Sequence, residues 1–502
     1  MDEKWLHQIL QELVRAGVRE VCVCSGKRNA PLVLAFDQYP EIKKYPWFEE
    51  RSAAFFALGR ARATRRPVAV LMTSGTAVGE CLPATMEAYY SGVPLILLTS
   101  DRPSRFRGTG APQSAEQVGI FGPYALHEQD LENEAPCQLE SWTQRGPAHI
   151  NVCLEEIQGN SIPPLPDITF DQTYQPHKLS AKPGDYQAIN QFLDRVERPL
   201  VVVGTLQEND RPYVEEFVAK LGAPVYLEAT SGLRESQRLR HLRVRHVESL
   251  QMDGVLRIGG VPTFRLWRDL ESKDACPVCS VSEVPFSGLT RGTFVHTSLS
   301  EVFSHVKILN KEYSFSSCHH TDDLYEELPH AEPSLMHHLS KAIPSDARVY
   351  LGNSLPIREW DLAAHENAPS DIWASRGLNG IDGQLSAFFG ICDPEKENWA
   401  ILGDLTTLYD MAAPWVLSFM EQFKITIVVV NNGGGMIFNR VGLGDQFTNP
   451  HGLDFKHFAK MWNLDYQISV SGGGNQRLVE LVPDKAETEK FWQRMKMVKS
   501  ES

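Results

Sequence analysis

The feature that most constrains the fold of this chain is a repeated alternation of short apolar runs and longer amphipathic stretches. Apolar runs of strand length lie at residues 20–24, 67–72, 94–98, 148–152, 199–203, 254–258, 278–281, 347–351, 399–402 and 425–430. Stretches with helical periodicity lie between many of them, including one predicted helix at residues 408–419. Because parallel strands need long crossover connections, usually a helix, the alternation predicts α/β domains with parallel sheets.

The length of the chain and two breaks in this alternation predict three such domains. At 502 residues the chain is too long for a single hydrophobic core. A Pro-rich segment at residues 162–166 and a polar segment at residues 319–333 resemble linkers. We therefore expect doubly wound parallel-sheet domains at residues 1–160, 180–315 and 335–502.

Composition excludes several classes of partner. The net charge of −14 disfavours nucleic acid and anionic membranes, which select basic surfaces. The N-terminus lacks a signal-peptide pattern, and no apolar run reaches the length of a membrane span. The nine cysteines are scattered, as expected in a reducing compartment. We expect a cytoplasmic protein with small-molecule substrates, which can be anionic if arginines form a local positive pocket.

Two predicted strands of the last domain end in metal-binding residue types. The strand at 399–402 runs into Asp404, and the strand at 425–430 runs into Asn432 and a glycine run that includes Gly434. Ligands bind where parallel strands end, so Asp404 and Asn432 should lie side by side. Their side-chain oxygens and the Gly434 carbonyl suit Mg²⁺ bound to a diphosphate, and the glycines let the backbone approach phosphates. The alternative is a plain turn, in which Asn and Gly are common.

The first domain carries an acid at the start of an apolar helix. Taken alone, Glu50 would be a first-turn carboxylate that offsets the helix dipole. After the strand that ends at Met72, however, a loop of hydroxyl residues and glycine leads into a helix and could hold a cofactor against the sheet. The loop residues are Thr73, Ser74, Gly75 and Thr76. With that loop, Glu50 becomes a candidate functional acid.

Together, these segments resemble thiamine-diphosphate enzymes. More narrowly, the chain resembles the 2-succinyl-5-enolpyruvyl-6-hydroxy-3-cyclohexene-1-carboxylate (SEPHCHC) synthase family of the menaquinone pathway, from about residue 17 to near the C-terminus. The matching segments are residues 26–32, 100–103, 110–113, 352–354 with Arg358, 375–383, 403–405 and 431–438. Gly403-Asp404-Leu405 replaces the Gly-Asp-Gly of the wider superfamily, as in this family. Gly433 stands where the family more often has Asn or Asp.

The resemblance implies a transferase that binds thiamine diphosphate through Mg²⁺ or Mn²⁺. Glu50 would be the catalytic acid that hydrogen-bonds the aminopyrimidine ring, and Asp404, Asn432 and Gly434 would ligate the metal. Ile381 would support the bent cofactor. The full set of cofactor residues would be Thr73, Ser74, Gly75, Thr76, Ile381, Asp404, Asn432, Gly434 and Ile437. The active site would lie between two subunits of a homodimer or homotetramer.

The resemblance also implies 2-oxoglutarate as donor and isochorismate as acceptor, with 1,4-addition of the succinyl unit. Both substrates are dicarboxylates, and guanidinium groups bind carboxylates bidentately. For a single arginine, a surface salt bridge is the commoner role, but four arginines in matching motifs favour an anion site. The substrate residues would be Arg28, Arg102, Gln113, Arg265, Ser354, Arg358 and Arg376.

Departures from the family pattern affect the substrate end. Lys27 replaces the usual Ser, Ser25 replaces a Pro, and residues 262–265 (Pro-Thr-Phe-Arg) stand where the family commonly has Pro-Thr-Ser-Lys. Two alternatives stay open. One is a related thiamine-diphosphate carboligase or decarboxylase with a different oxo acid or acceptor. The other is a non-catalytic homologue, against which the retention of Glu50, Asp404 and Asn432 argues.

Overall fold

A computed structural model describes residues 3–156, 159–170, 177–245, 247, 250–262, 264–308, 311, 313, 315 and 322–500. The chain divides into two compact units. Unit 1 comprises Met1–His177, Gly377–Cys392 and Thr406–Gln422, and unit 2 comprises Lys178–Arg376, Asp393–Leu405 and Phe423–Ser502. The domain boundaries expected from the sequence stay a prediction.

The strands and helices alternate along the chain. The strands are β1 Glu20–Cys24, β2 Lys43–Trp47, β3 Val68–Met72, β4 Leu95–Asp101, β5 His127–Leu131, β6 Ala148–Cys153, β7 Pro199–Val203, β8 Val225–Leu227, β9 Gly254–Ile258, β10 Val278–Ser282, β11 Thr293–His296, β12 Arg348–Leu351, β13 Asp371–Trp373, β14 Glu397–Gly403, β15 Lys424–Val430, β16 Asp465–Gln467 and β17 Gln476–Leu481. The helices are α1 Glu3–Arg15, α2 Ala30–Asp37, α3 Glu50–Thr64, α4 Thr76–Glu80, α5 Leu82–Ser91, α6 Pro183–Arg195, α7 Arg211–Leu221, α8 Arg265–Asp269, α9 Leu299–Phe303, α10 Asp322–Glu327, α11 Glu332–Ala342, α12 Leu355–Ala363, α13 Gln384–Ile391, α14 Asp404–Tyr409, α15 Ile437–Arg440, α16 Lys456–Met461 and α17 Lys485–Ser500.

The strands form three parallel sheets, as the apolar runs predicted. The sheet of unit 1 has the order β2-β1-β3-β4-β6-β5. The two sheets of unit 2 have the orders β11-β10-β9-β7-β8 and β13-β12-β14-β15-β17-β16. Strands β3, β4, β6, β7, β9 and β10 are buried along their whole length. Helices cover both faces of such sheets, so their central strands appear in the sequence as continuous apolar runs.

Within unit 1, α3 packs closely against α13. A Cβ atom added to Gly59 of α3 would overlap the carbonyl oxygen of Ala387, and one added to Gly390 of α13 would overlap that of Phe56. The two helices therefore meet backbone to backbone where each has a glycine. This contact brings the helix that begins at Glu50 against the segment that follows Ile381.

The predicted helix at residues 408–419 is wrong as a single element. Helix α14 ends at Tyr409, and a separate 3-10 helix spans Ala413–Phe419. Pro414 has no N–H with which to bond the carbonyl of Asp410, so an α-helix cannot continue through it. The turn between the two helices instead places the Asp410 carboxyl against Ser52 and Ser386.

The polar segment expected to be the second linker is partly helical. Residues 316–321 lie outside the described residues, but α10 and the first turn of α11 fall within the segment. Leu324 and Tyr325 of α10 are buried in a cluster with Phe491 and Met495 of α17. Acidic residues surround these two apolar side chains in the sequence, so the pattern indicated a polar linker and not a helix.

No helix in the described part of the chain is long and apolar enough to cross a bilayer. The eight cysteines of that part are free thiols, and all except Cys276 are buried. Burial raises the pKa of Cys22 and Cys81 well above the ordinary thiol value. Because the thiolate is the reactive form, these residues serve packing rather than chemistry.

Candidate active site

Asp404 and the loop after β15 meet at the carboxyl edge of the third sheet, in unit 2. Strands β14 and β15 pair in parallel, with Gly403 opposite Val430. Asp404 is 2% exposed, and its Oδ2 accepts the N–H groups of Gly433 and Gly434, each at 2.9 Å. This arrangement confirms the prediction that the two strand ends lie side by side.

Asn432 offers an acceptor that has no partner. Its Nδ2 donates to Oε1 of Glu332 at 3.0 Å, while its Oδ1 is buried and lacks a hydrogen-bond partner among the described residues. Burial raises the pKa of the neighbouring Asp404, against the lowering effect of the N–H groups it accepts. A buried carboxylate and an unsatisfied amide oxygen are ligands that suit a hard divalent cation.

The glycines of this loop are required by the packing around it. Gly433 and Gly434 have φ values of 80° and 140°, a region that other residues rarely adopt. A Cβ atom at Gly434 would overlap the Thr448 carbonyl, and the N–H of His451 bonds the Gly433 carbonyl at 3.1 Å. Thr448 and His451 were not identified from the sequence. Ile437 opens α15 just after the loop and is half-buried.

In unit 1, Glu50 is the first residue of α3, but it does not cap the helix. The preceding Glu49 does so, by accepting the N–H groups of Arg51 at 3.1 Å and Ser52 at 2.9 Å. Burial raises the pKa of the half-buried Glu50, and the carboxylates of Glu49 and Glu80 add to the shift. The plain capping role therefore belongs to Glu49, and Glu50 has the perturbed carboxyl typical of a functional acid.

The loop at residues 73–76 follows β3 and leads into α4. Ser74 is buried and its Oγ has no hydrogen-bond partner among the described residues, while Thr76 is exposed at the start of α4. Gly75 has φ 88°, and its N–H donates to Oε1 of Gln117 at 2.8 Å. Gln117, which no motif indicated, thus fixes the backbone of the loop that carries the Ser74 hydroxyl.

The segment that carries Ile381 is held by a buried acid of α5. Glu87 accepts the N–H groups of Gly377 and Leu378, each at 2.8 Å. Further along, a Cβ atom at Gly383 would overlap the ring of Phe55 in α3. Ile381 lies between these two fixed points and is half-buried. The fold therefore presents an apolar side chain from a tightly held loop.

Two of the predicted substrate arginines lie near each other in unit 1. Arg28 is buried and donates to the carbonyl of Leu154 at 2.8 Å and to Glu156 at 2.9 Å. Burial lowers the pKa of Arg28, and the charge of nearby Arg102 lowers it further. The predicted residue Gln113 has a φ of 56°, a strained conformation that is often found at functional sites.

A second arginine pair lies in unit 2. Burial lowers the pKa of Arg358, and the nearby charge of Arg376 lowers it further. Arg376 donates to Oδ1 of Asn353, and Arg358 donates to the carbonyl of Ser354, each at 2.5 Å. Ser354 has a φ of 73°, again strained for a residue other than glycine. The charges of Asp361 and Glu228 oppose the shift in the pKa of Arg358 and partly balance the two arginines. A carboxylate bound between the two guanidinium groups would reduce their repulsion.

Arg265 has a different environment. It opens α8, its side chain is 82% exposed, and its Nε lies 3.3 Å from Oδ2 of Asp269. The preceding Phe264 stacks on Tyr226, with ring centroids 4.4 Å apart. Thr263 lies outside the described residues. The segment that departs from the family pattern thus places its guanidinium at the surface of unit 2.

Residues 4–120 of the chain match the family described as thiamine pyrophosphate enzyme, N-terminal TPP binding domain. The SEPHCHC synthase of Bdellovibrio bacteriovorus is 41% identical over an alignment of 526 positions that covers 97% of each chain. This chain belongs to the SEPHCHC synthase family. The SEPHCHC synthases of Akkermansia muciniphila and Lysinibacillus sphaericus are 34% and 30% identical over at least 95% of each chain.

A solved structure supports the architecture of this SEPHCHC synthase family member. The benzoylformate decarboxylase of Polynucleobacter necessarius aligns with a TM-score of 0.77 at 14% identity, covering 96% of this chain and 98% of the other. At that identity the match concerns the fold alone. Both the resemblance seen in the sequence and the expected fold of three parallel-sheet α/β domains are confirmed.

Several residues of this family member contact the predicted site although no motif identified them. They are Glu87, Gln117, Glu332 and His451. Glu332 precedes its partner in the chain by about a hundred residues, and Glu87 lies even further from Gly377. Because a local pattern carries no information about such distant partners, only the fold reveals these four.

Proposed function

We propose that this chain catalyses the thiamine-diphosphate-dependent decarboxylation of 2-oxoglutarate and the 1,4-addition of the succinyl unit to isochorismate. The product would be SEPHCHC, in menaquinone biosynthesis, and the enzyme a transferase. The names of its relatives support this reaction. The observation that carries the proposal is the pair Arg358 and Arg376, whose neighbouring charges suit the carboxylates of these substrates.

Each unit carries its own set of proposed cofactor residues. In unit 2, Asp404, Asn432 and the Gly434 carbonyl would hold Mg²⁺, or Mn²⁺, against the diphosphate. Bound thiamine diphosphate supplies the electron sink for decarboxylation. In unit 1, Glu50 would hold a proton at the aminopyrimidine ring, a role favoured by its raised pKa.

The remaining cofactor contacts follow the positions of the side chains. Ser74, whose Oγ has no hydrogen-bond partner in the part of the chain that the structure describes, would donate or accept a hydrogen bond, together with the backbone of Gly75 and the backbone and hydroxyl groups of Thr73 and Thr76. The half-buried Ile381 and Ile437 would pack against the rings. The full set of proposed cofactor residues is Thr73, Ser74, Gly75, Thr76, Ile381, Asp404, Asn432, Gly434 and Ile437.

The substrate residues would divide between donor and acceptor. Arg358, Arg376 and Ser354 belong to the unit that holds the metal residues, so we assign them to 2-oxoglutarate. The pair Arg28 and Arg102 would bind isochorismate, with Gln113 and Arg265 as further contacts. Each guanidinium can bind a carboxylate bidentately and so orient the substrate as well as attract it.

We further propose a homodimer or homotetramer in the cytoplasm. Unit 1 exposes several large apolar side chains, among them Phe48, which is 58% exposed and whose ring centroid lies 4.9 Å from that of Trp415. The exposed side chains of Tyr409, Met411 and Phe419 belong to the same chain segment as Trp415. Exposed apolar patches commonly mark interfaces, which supports an assembled state. The unpaired cysteines support a reducing compartment.

The test is a reaction with purified protein, thiamine diphosphate, Mg²⁺, 2-oxoglutarate and isochorismate. We expect consumption of both substrates, release of carbon dioxide and a product with the mass of SEPHCHC. Omission of isochorismate should abolish the product. Turnover of pyruvate in preference to 2-oxoglutarate would contradict the proposed donor.

One observation favours a second candidate, a related carboligase with a different acceptor. Arg265, which stands where the family has a lysine, is exposed and paired with Asp269, and Lys27 is paired with Glu156 at 2.8 Å. Both cations would have to leave these partners to bind isochorismate. A panel of acceptors with 2-oxoglutarate as donor separates the two candidates, because only the second predicts a better acceptor than isochorismate.

A further inference from the structure

The proposed metal site requires Asn432 to present one particular end of its side chain. An amide group has an oxygen that accepts and a nitrogen that donates, and the two ends are nearly equal in shape. Only the oxygen can bind a cation. Some neighbouring group must therefore distinguish the two ends of Asn432.

Glu332 is the group that contacts the nitrogen end. Its Oε1 accepts a hydrogen bond from Nδ2 of Asn432 at 3.0 Å, and Oδ1 of Asn432 has no hydrogen-bond partner within the described ranges. A carboxyl oxygen that does not carry the proton is an acceptor, so it attracts the amide nitrogen and repels the amide oxygen. The contact therefore selects one orientation of Asn432.

The backbone of Glu332 is held in place. Glu332 is 4% exposed and opens α11, with Pro333 as the next residue. Its N–H donates to Oγ1 of Thr488 at 3.0 Å, and that hydroxyl donates in turn to the carbonyl of Asp484 at 2.7 Å. Helix α17 thus anchors the residue that contacts Asn432.

A second buried acid offers a matched comparison. Glu359 of α12 is 1% exposed, and its two carboxyl oxygens have no hydrogen-bond partner among the described residues. Its nearest cation is Arg440, with Nη1 3.8 Å from Oε1, and the guanidinium of Arg440 also lies over the ring of Trp492. Glu359 shares the burial of Glu332 and lies near enough that the charge of Glu332 raises its pKa, but no hydrogen bond joins it to Asn432 in the described part of the chain. Its replacement by Gln therefore removes a neighbouring negative charge without removing the hydrogen bond to Asn432.

We propose that Glu332 is a positioning residue, which orients the Asn432 side chain so that Oδ1 faces the divalent cation of the cofactor. The inference rests on the proposed cofactor site. It assigns a role in metal affinity to a residue on α11, outside every motif that marks the site. Outer-shell partners of this kind typically change metal affinity tenfold to a hundredfold when they are mutated.

The test measures cofactor binding rather than turnover. In Glu332→Gln, the new amide can donate to Oδ1 of Asn432, so both orientations of Asn432 become available. We expect the Mg²⁺ concentration for half-maximal thiamine diphosphate binding, followed by calorimetry, to rise about tenfold or more. The thermal stability of the protein without cofactor should change little, and saturating Mg²⁺ should restore binding. Glu359→Gln is the control, and its Mg²⁺ requirement should match that of the wild type.

A reciprocal exchange makes the test specific to this hydrogen bond. Asn432→Asp removes the donor and places two carboxyl groups against each other, so it should weaken Mg²⁺-dependent binding. When Glu332→Gln is added to that variant, the amide of residue 332 can donate to the carboxylate of residue 432, which reverses the original hydrogen bond. The second carboxylate oxygen of residue 432 stays available to the metal. We expect the double variant to bind Mg²⁺ and cofactor better than Asn432→Asp alone.

Three results would overturn the inference: an unchanged Mg²⁺ requirement in Glu332→Gln, an equal change in Glu359→Gln, or no recovery in the double variant. Binding and activity separate this inference from the proposed function. Wild-type protein that binds thiamine diphosphate with Mg²⁺ but forms no SEPHCHC would contradict only the proposed reaction. Wild-type protein without Mg²⁺-dependent binding would contradict both.

Discussion

At the scale of single residues, Glu49 and Glu50 have different environments although they are adjacent in the chain. Glu49 accepts the N–H groups of Arg51 and Ser52 at the start of α3, whereas Glu50 is the acid proposed to act on the cofactor. We predict that Glu50→Gln still binds thiamine diphosphate and Mg²⁺ but loses about 10²- to 10⁴-fold in turnover, the usual contribution of a general acid or base. Calorimetry measures the binding, and a coupled assay measures the rate.

The matched control is the neighbouring cap. Glu49→Ala removes the acceptor for two backbone N–H groups, so it should lower the free energy of unfolding by about 1 kcal/mol. The folded Glu49→Ala variant should still turn over substrate, because the proposed proton lies on Glu50 and not on Glu49. Turnover near the wild-type level in Glu50→Gln would remove Glu50 from its proposed role.

The arginine pair of unit 2 gives a prediction about substrate choice. A hydrogen bond to a charged group contributes roughly 1.5–3 kcal/mol, so Arg358→Ala should lower kcat/KM for 2-oxoglutarate about tenfold to a hundredfold. Cofactor binding should change little. Pyruvate lacks the distal carboxylate, so it should be a poor donor for the wild type, and the gap should narrow in the variant.

Steady-state kinetics with both oxo acids measure this effect, and Arg198→Ala provides the control. Arg198 is an exposed arginine that precedes β7 and donates to Oε1 of Gln251 at 3.0 Å, so its removal deletes a guanidinium outside every predicted motif. A loss of the same size in Arg198→Ala, or an unchanged preference in Arg358→Ala, would contradict the donor assignment.

A buried acid predicts a pH dependence of stability. Burial raises the pKa of Asp410 above 3.8, although hydrogen bonds from Ser386 and Ser52 oppose the shift. The folded state therefore binds the proton more tightly, and the contribution of this group to stability is lost as pH rises through its folded pKa. Asp410→Asn cannot ionise, so its free energy of unfolding relative to the wild type should increase from about pH 4 upward and then level off.

Urea unfolding of both proteins across this pH range tests the prediction. Asn at position 410 keeps one acceptor for the Ser386 N–H and can donate to the two hydroxyls, so the variant should fold. A difference in unfolding free energy that stays constant with pH would show that the pKa of Asp410 is not raised.

At the scale of elements, every central strand except β17 was predictable from the sequence, and the edge strands were not. Two apolar residues of β17 lie between the charged residues Arg477 and Glu480, so no apolar run marks that strand. The sequence indicated β1, β3, β4, β6, β7, β9, β10, β12, β14 and β15, each of which has neighbours on both sides. The edge strands of the three sheets, β2, β5, β8, β11, β13 and β16, were missed. Edge strands are short and carry polar residues that discourage further pairing, so no apolar run marks them.

The candidate site also combines residues that the sequence indicated with residues that it did not indicate. The adjacency of Asp404 and Asn432 followed from two strand ends, because parallel neighbours end at one edge. The contacts of Glu87 with Gly377 and of Glu332 with Asn432 join distant segments. Only the tertiary fold brings such pairs together, so sequence patterns could not indicate them.

The contact of α3 with α13 gives a prediction at this scale. A Cβ atom at Gly59 would overlap the Ala387 carbonyl, a backbone atom that cannot rotate away. We expect Gly59→Ala to lower the free energy of unfolding by about 1–3 kcal/mol, as overpacking usually does, although alanine favours helix formation. Thermal or urea unfolding measures the change.

The control for this prediction is a helical glycine with free space. Gly79 of α4 has no atom within 4 Å of an added Cβ, so Gly79→Ala should be neutral or slightly stabilising. Equal effects of the two substitutions would show that the close approach of α3 and α13 does not determine the cost at Gly59.

At the scale of the whole molecule, the proposed site residues are divided between the two units. Glu50 and Ile381 belong to unit 1, whereas Asp404, Asn432 and Gly434 belong to unit 2. If each active site takes its unit 1 residues from one chain and its unit 2 residues from another, the smallest active species is a dimer.

Complementation between two inactive variants tests this arrangement directly. Glu50→Gln impairs the contribution of unit 1, and Asp404→Ala impairs that of unit 2. In a mixed dimer with shared sites, one site combines the two substituted units and the other site combines two unsubstituted units. Random exchange makes about half of the dimers mixed, so the mixture should recover about a quarter of wild-type activity. If each site were built within one chain, mixing would restore no activity. Light scattering gives a second test, because a wild-type protein that is fully active as a monomer at the assay concentration would also contradict the shared site.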